Sequence, residues 1–380
     1  MKTSLFDFTL PHGHIATAPA NPRDSSRMLV IGDNLQDKNI ADIIGFLRAG
    51  DVMVFNDTKV IPARLFGLRG NAKIEVLLHK SISLLPLPLG EGGVRAKTQE
   101  QIALTPQHVC CASSQRERGL QLWQCFAKPA KKLRVADMLT FADDFCAEVV
   151  KKYDDGQVLL SFAYSADDFQ KKLDKYGTMP LPPYIEKNRH ADESDNNNYQ
   201  TVYAKNSGSV AAPTAGLHFT KELLDKIDAI GVKRVHVTLH VGGGTFLPVK
   251  SDDTESHIMH SEYAEISGEA ARIINNAKQA GGRVIAVGTT SVRTLESAAN
   301  GEGILQEFAG ETNIFITPSY KFKIVDAMLT NFHLPKSTLF MLVCAFAGLE
   351  KMQSAYAHAI AQNYRFYSYG DACFLLRGRL

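Results

Sequence analysis

An interruption in the secondary-structure pattern constrains this fold more than any other feature. Strand-and-helix alternation runs to about Leu65 and returns at about Leu173. Between them the chain reads as strands and turns with few convincing helices. A chain that leaves an α/β pattern and later resumes it must build one domain from two separated stretches. The expected fold class is therefore α/β. A main α/β/α layered domain is expected from residues 1–62 plus 163–380, with a small β-barrel domain inserted at 63–162. With 380 residues the chain is long enough for two domains and a substantial core.

Within the insert, Lys73–His79 and Leu120–Phe126 read as strands. Glu148–Lys152 and Val158–Phe162, joined by an Asp-Asp-Gly turn, read as a hairpin. Residues 81–118 lack either period and are expected to form an irregular insertion without a catalytic role, since structureless loops of that length are rare inside compact domains. Lys128, Lys131, Lys132 and Arg134 form a basic knot, more often a solvated surface than an RNA patch.

In the main domain, strands are expected at Leu5–Leu10, Met28–Ile31, Val52–Phe55, Val235–Val241, Arg283–Val287, Asn313–Thr317 and Ala372–Leu376. Ile40, Ile43, Ile44 and Leu47 mark a helix ending at Gly50. Thr220 caps a second helix, with Leu223, Leu224, Ile227 and Ile230 on one face and Gly231 as its stop. Ser267–Ala280 is a third, closed by Gly281-Gly282. Thr338–Ala347 is apolar all round and should be a buried helix.

Ligands in open α/β sheets bind beyond the carboxyl ends of strands. The candidate loops are those that follow strands. Gly208–Thr220 is built of small residues and hydroxyls, ends in His218 and Thr220, and is either an ordinary tight turn or the wall of a ligand site. Gly242–Phe246 and Gly288–Arg293 are similar in kind. The latter is a strand–glycine–hydroxyl–helix unit without the G-x-x-x-x-G-K of a P-loop. Asn56–Lys59 places Asp57 at a strand end. His257 and His260, three apart, share a face if the segment is a helical turn, with Glu262 close by. That set lacks the H-E-x-x-H pattern, so hydrogen-bonding or acid–base roles are expected over zinc. Arg365–Asp371 carries aromatics with Arg and Asp, which either stack on a base or close the core.

A formal net charge of +2 gives no global field for nucleic acid, so such a partner would need a local patch. The six cysteines form no C-x-x-C pair, which leaves a zinc ribbon or thioredoxin-type motif unsupported and reduced thiols expected. Met1–Leu10 carries Asp7 and does not read as an export signal. The longest apolar run, Leu339–Ala347, is too short to span a bilayer.

Ten stretches, in order along nearly the whole chain, resemble the S-adenosylmethionine:tRNA ribosyltransferase-isomerase family of queuosine biosynthesis. They are Pro22–Arg27 (P-R-D-S-S-R), Val54–Leu65 (V-F-N-D-T-K-V-I-P-A-R-L), Met179–Ile185, Tyr199–Lys205 and Gly208–Thr220. The others are His240–Val249 (H-V-G-G-G-T-F-L-P-V), His257–Glu262, Val287–Glu296 (V-G-T-T-S-V-R-T-L-E), Thr330–Ser337 (T-N-F-H-L-P-K-S) and Tyr364–Asp371 (Y-R-F-Y-S-Y-G-D). The sequence departs from the family at 81–118 and at Gly70-Asn-Ala72, which bears on the barrel rather than the chemistry.

The resemblance implies a cytoplasmic, monomeric enzyme that needs no metal and no cofactor, S-adenosylmethionine being a consumed substrate. Its ribosyl part moves onto 7-aminomethyl-7-deazaguanine at the wobble position in a tRNA anticodon loop, giving epoxyqueuosine, adenine and methionine. That chemistry asks for a base, hydrogen-bond donors and a water-excluding pocket. The expected catalytic groups in the matched stretches are His218, Asp57, His240, His260, Glu262 and His333. Ser209, Thr214, Thr289 and Thr290 are expected to hold the methionine carboxylate and ribose, and Gly242, Thr245 and Asn331 are further expected substrate contacts. Arg27, Arg64 and Arg293 are expected to meet carboxylate or tRNA phosphate, Tyr369 or Tyr184 to stack on the wobble base, and Asp371 is a further expected substrate contact. A nucleotide or sugar-phosphate transferase acting without RNA, and a non-catalytic RNA-binding protein, are the competing classes.

Overall fold

The structure is a computed structural model and describes residues 1–82, 120–154, 156–243, 251–257 and 259–377. The expected irregular insertion therefore lies, apart from Ser81 and Ile82, outside the described residues. The chain divides into two compact units, Met1–Val60 with Leu181–Leu380, and Ile61–Pro180.

In chain order the first unit opens with β1 (Arg27–Ile31), β2 (Leu35–Asn39), β3 (Val52–Asn56) and β4 (Thr58–Val60). The second unit holds β5 (Arg64–Arg69), β6 (Ala72–Ile82), β7 (Gln121–Lys128), β8 (Met138–Ala142), β9 (Phe145–Lys152), β10 (Gln157–Phe162) and helix α1 (Ala166–Tyr176). These six strands close into a barrel in the order β10-β7-β6-β5-β8-β9, and β9 and β10 form the expected hairpin. Alternate residues fill the barrel: Leu65, Val76, Leu78, Leu139, Val149 and Leu160 are fully buried. The insert was expected to end at 162, but its unit runs to Pro180. The reason is α1: Phe169 is buried against Phe162, with ring centroids 4.8 Å apart.

The first unit resumes with α2 (Pro183–Glu186), α3 (Asp195–Asn198), β11 (Asn206–Ser209), α4 (Lys221–Ala229), β12 (Lys233–Leu239), β13 (Glu262–Ile266), α5 (Gly268–Gln279) and β14 (Val284–Val287). It ends with α6 (Thr289–Ala298), β15 (Phe308–Thr312), β16 (Ala327–Asn331), α7 (Thr338–Ala347), α8 (Leu349–Ala361) and β17 (Ala372–Leu376). One sheet runs β15-β13-β12-β3-β14-β16-β17-β1-β2, and β4 pairs with β11 beside it. The central strands β12, β3, β14 and β16 are parallel. β17 is antiparallel to β16 and parallel to β1.

Successive side chains of a strand point to opposite faces, so the sheet makes two cores. Val52, Val54, Val284 and Ala286 pack on one side with α5, α6, α7 and α8. Met53, Phe55, Ile285 and Val287 pack on the other with α4 and a short 3-10 helix, Ile40–Phe46. Thr220 and Ser267 cap α4 and α5 through the Leu223 and Ala270 amides, as their sequence positions require.

Three local expectations fail. Residues 5–10 are not a strand: Thr3–Phe6 is a 3-10 turn, Phe6 is drawn into the core, and among the described residues no strand pairs with the segment. Asn313–Thr317 is not a strand either; pairing with β13 takes Phe308–Thr312 instead. His257 and His260 do not lie in a helix: the described residues around them, 251–257 and 259–261, form none.

Candidate active site

The carboxyl ends of the parallel strands β12, β3, β14 and β16 lie along one edge of the sheet. The amino ends of β17 and β1 reach the same edge because those strands run the other way. There a cleft opens, walled by the Ala211–Ala215 run, Gly288–Thr290, Thr330–His333, Leu339, Tyr367 and Ser368. Gly288 starts α6 with φ +88°, a conformation glycine adopts without strain, and it has no side chain to cap the helix. The first amides of α6 therefore face the cleft without a side-chain cap.

His218 stands behind Asn331 in this wall. Asn331 receives a hydrogen bond from the Thr214 hydroxyl on Oδ1 at 3.2 Å, and its Nδ2 lies 3.2 Å from the Tyr367 carbonyl and 3.4 Å from that of Ser368. Two backbone acceptors fix which end of the amide is NH2. His218 Nε2, 3.2 Å from the same Nδ2, must then be an unprotonated acceptor. Burial lowers the His218 pKa to about 4, with the Asp371 carboxylate opposing the shift. His333 is buried too, its Nε2 3.1 Å from the Thr330 hydroxyl, and desolvation lowers its pKa to about 3. Both imidazoles are neutral at pH 7.

The loop that carries His218 is tight for a packing reason. A Cβ on Gly216 would stand 2.0 Å from the Tyr203 hydroxyl and 2.8 Å from the Thr201 methyl, so glycine lets the 3-10 turn Thr214–His218 seat without shifting either side chain. The Thr290 hydroxyl is buried with no hydrogen-bond partner. The Tyr199 hydroxyl, also on the cleft wall, faces the Ala212 amide without reaching hydrogen-bond geometry.

Asp57 and His240 belong to a neighbouring network at the ends of β3 and β12. Asp57 accepts from Thr238 at 2.8 Å and from Asn206 at 3.1 Å. His240 Nδ1 lies 2.7 Å from the Thr58 hydroxyl, and burial lowers its pKa against the Asp57 charge. Ser209 is structural here: its hydroxyl donates to the Ala211 carbonyl at 2.7 Å and accepts from the Val241 amide at 2.9 Å, stitching the cleft wall to the end of β12. Glu262 and Arg293 form a buried ion pair, and Glu262 also accepts from the Gly242 amide at 3.2 Å.

Other expected residues stand apart from the cleft. Asp371 is buried and holds Arg365 at 3.0 Å and the Arg27 amide at 3.2 Å. The Arg27 guanidinium lies over the Tyr364 ring, 3.7 Å from its centroid, and donates to the Gln362 carbonyl. Tyr369 is 2 % exposed, too buried to stack on an incoming base, whereas half-buried Tyr367 lines the cleft. Tyr184 sits edge-on to Tyr367, centroids 4.4 Å apart, and accepts from the Ser368 amide. Arg64 belongs to the barrel unit and is paired with Glu75. His260 is exposed and lies outside the cleft lining. Thr245 falls outside the described residues. Among the described residues no three His, Cys, Asp or Glu side chains gather as a metal site.

Sequence reasoning missed Tyr199, Thr330, Tyr367 and Ser368 as cleft residues, and Thr58 and Asn206 in the Asp57 network. The signal was present in part, because Tyr199, Thr330 and Tyr367 sit in the same motifs as expected residues.

Comparison with known proteins points to one family. A family model described as "Queuosine biosynthesis protein" matches residues 3–375. The S-adenosylmethionine:tRNA ribosyltransferase-isomerase of Beijerinckia indica is 49% identical over 392 residues, covering 99% of this chain and 97% of that protein. The protein of the same name from Methylocella silvestris is 50% identical over 388 residues, covering 99% and 98%. A crystal structure of S-adenosylmethionine tRNA ribosyltransferase from Thermotoga maritima superposes with a TM-score of 0.51 at 31% identity, over 98% of this chain and 100% of that one.

Proposed function

We propose how the cleft works from one premise: the chain belongs to the S-adenosylmethionine:tRNA ribosyltransferase-isomerase family of queuosine biosynthesis. It is a transferase whose substrates are S-adenosylmethionine and tRNA. In our reading the acceptor is 7-aminomethyl-7-deazaguanine at the wobble position of an anticodon loop. The product is epoxyqueuosine, and adenine and methionine leave. S-adenosylmethionine is consumed, and no separate cofactor enters. The substrates are those of a cytoplasmic enzyme. In our reading the working unit is a monomer.

The observation that carries this reading is a neutral imidazole behind a mostly apolar cleft. The sulfonium acidifies the adjoining ribose carbon, and a base must take its proton where water is excluded. His218 is in the free-base form at neutral pH, and its unprotonated nitrogen is Nε2. Proton uptake there requires the Asn331 amide to turn away. Asn331 also lines the cleft, so a bound substrate can displace it. Thr214 and the α6 amides at Thr289 and Thr290 are the donors placed to meet the ribose hydroxyls. Half-buried Tyr367, rather than Tyr369, is the aromatic on which a displayed wobble base would stack.

The test is direct. Purified protein is given tRNA bearing the deazaguanine precursor and S-adenosylmethionine labelled in the ribose. Label should move to the tRNA with one adenine released per transfer. Absence of both overturns the reading. Adenine release without labelled tRNA would favour a transferase that does not use RNA.

A further inference from the structure

Arg293 has more hydrogen-bonding capacity than the protein uses. Its side chain is about nine-tenths buried, 6% exposed, and its Nη1 pairs with Glu262. Nε and Nη2 are buried and have no hydrogen-bond partner. Buried donors in folded proteins are almost always paired, and an unpaired cationic N–H is the costliest exception. The two idle atoms share one edge of the guanidinium, the edge whose parallel N–H groups match the two oxygens of a carboxylate.

Position supports a ligand. Arg293 follows Thr289 by four residues and Thr290 by three on α6, so it lies one turn deeper on the face that lines the cleft. Thr290 adds a buried hydroxyl without a partner. The Glu262 carboxylate, tied to the Gly242 amide next to cleft-lining Val241, holds the guanidinium in place. The other two expected arginines are engaged elsewhere: Arg27 lies over Tyr364 and donates to Gln362, and Arg64 belongs to the barrel unit and pairs with Glu75.

We propose that the Nε–Nη2 edge of Arg293, with the Thr290 hydroxyl one helical turn before it, is the subsite for the carboxylate of the methionine part of S-adenosylmethionine. This rests on the activity proposed above. That carboxylate is the one planar anion the substrates carry. RNA phosphates are tetrahedral and attached to a polymer that cannot follow a side chain so deeply buried. A zwitterionic amino acid also suits a guanidinium already neutralised by Glu262, since the incoming carboxylate brings its own ammonium.

The experiment measures binding of S-adenosylmethionine and of its decarboxylated analogue by calorimetry on the full-length protein, Arg293→Gln and Arg293→Lys. The wild type should prefer the carboxylated form by about ten- to hundredfold. In Arg293→Gln the ratio should fall to near one. Arg293→Lys keeps a cation against Glu262 but offers no two-pronged edge, and should show an intermediate ratio. If Arg293→Gln fails to fold, Arg293→Lys decides. A wild-type ratio of one, or a ratio unchanged in the folded variants, overturns the subsite. Weakened tRNA binding with an unchanged ratio overturns it too, by giving the edge to a phosphate. Labelled ribose transfer by the wild type, run in parallel, separates failure of the subsite from failure of the activity.

Discussion

The two ends of the central strands are built on opposite terms. At the amino ends, Asp51 before β3 is fully buried and accepts from the Arg48 amide and from the amide and guanidinium of Arg283. Arg283 also donates to the Phe46 carbonyl. Asp326, before β16, takes Lys278 and the Val284 amide. At the carboxyl ends, by contrast, Arg293 keeps two buried N–H atoms idle, Thr290 keeps a hydroxyl idle, and His218 is held in its uncharged form. Arginine–carboxylate pairs occur at both ends, so pair chemistry alone does not tell them apart. The difference is in satisfaction. One end uses its hydrogen bonds to close the fold, and the other leaves capacity for a ligand.

The comparison breaks most visibly through activity. His218→Ala should lower turnover by about 10²–10⁴-fold, the range for loss of a general base, while costing folding stability no more than about 2 kcal/mol. Ribose-transfer kinetics and urea melts on the same preparation check this. Near-normal turnover removes His218 from the chemistry. Asp51→Ala should do the reverse. Stranding the Arg283 donors should cost about 3 kcal/mol in a denaturant melt, with S-adenosylmethionine affinity of the folded protein unchanged. A variant that lost affinity but not stability would erase the distinction between the two ends.

How much of this was legible in the sequence depends on how local each feature is. Thr338–Ala347 and Ala372–Leu376 appear where their patterns put them, and Thr220 and Ser267 cap their helices. Each of those depends on residues within a turn or two. Leu5–Leu10 and Asn313–Thr317 were misread because a strand needs a neighbour, and alternation does not say whether one exists. The cleft draws on residues as distant as Tyr199, Gly288, Asn331 and Ser368. They meet because β17 enters antiparallel beside β16, and no spacing in the chain announces that pairing. Tyr369 and Tyr367 show the limit at residue scale. Both lie in one motif, but only the three-dimensional packing separates the buried ring from the one on the cleft.

A smaller effect separates the two ends by pH. Burial sets the folded pKa of His218 and His333 at about 4 and about 3, below an unfolded value of roughly 6.5. Between those values the unfolded chain binds more protons. Stability should be full above about pH 6.5 and fall as pH drops, by about 1.4 kcal/mol per pH unit for each histidine until its folded pKa is passed. Burial alone would raise the Asp51 carboxyl, but hydrogen bonds from the Arg283 side chain and from the Arg48 and Arg283 amides outweigh it and hold it below the usual carboxylate range. Its contribution is complete above roughly pH 4 and is lost only below that. Urea melts at fixed ionic strength between pH 7 and pH 4.5 should slope more steeply in the wild type than in His218→Ala, the difference being the share of one histidine. An unchanged slope would mean that His218 is not held neutral by the fold.

Tyr199→Phe should move least. The hydroxyl is buried on the cleft wall, and the Ala212 amide that it faces is out of hydrogen-bond geometry. Removing it takes away desolvated oxygen and no formed bond, so the melt should shift by under about 1 kcal/mol, in the stabilising direction. Substrate affinity should fall if the cleft end of the sheet keeps that hydroxyl for a ligand. A variant less stable than the wild type, with unchanged affinity, would place Tyr199 with the satisfied polar groups at the other end.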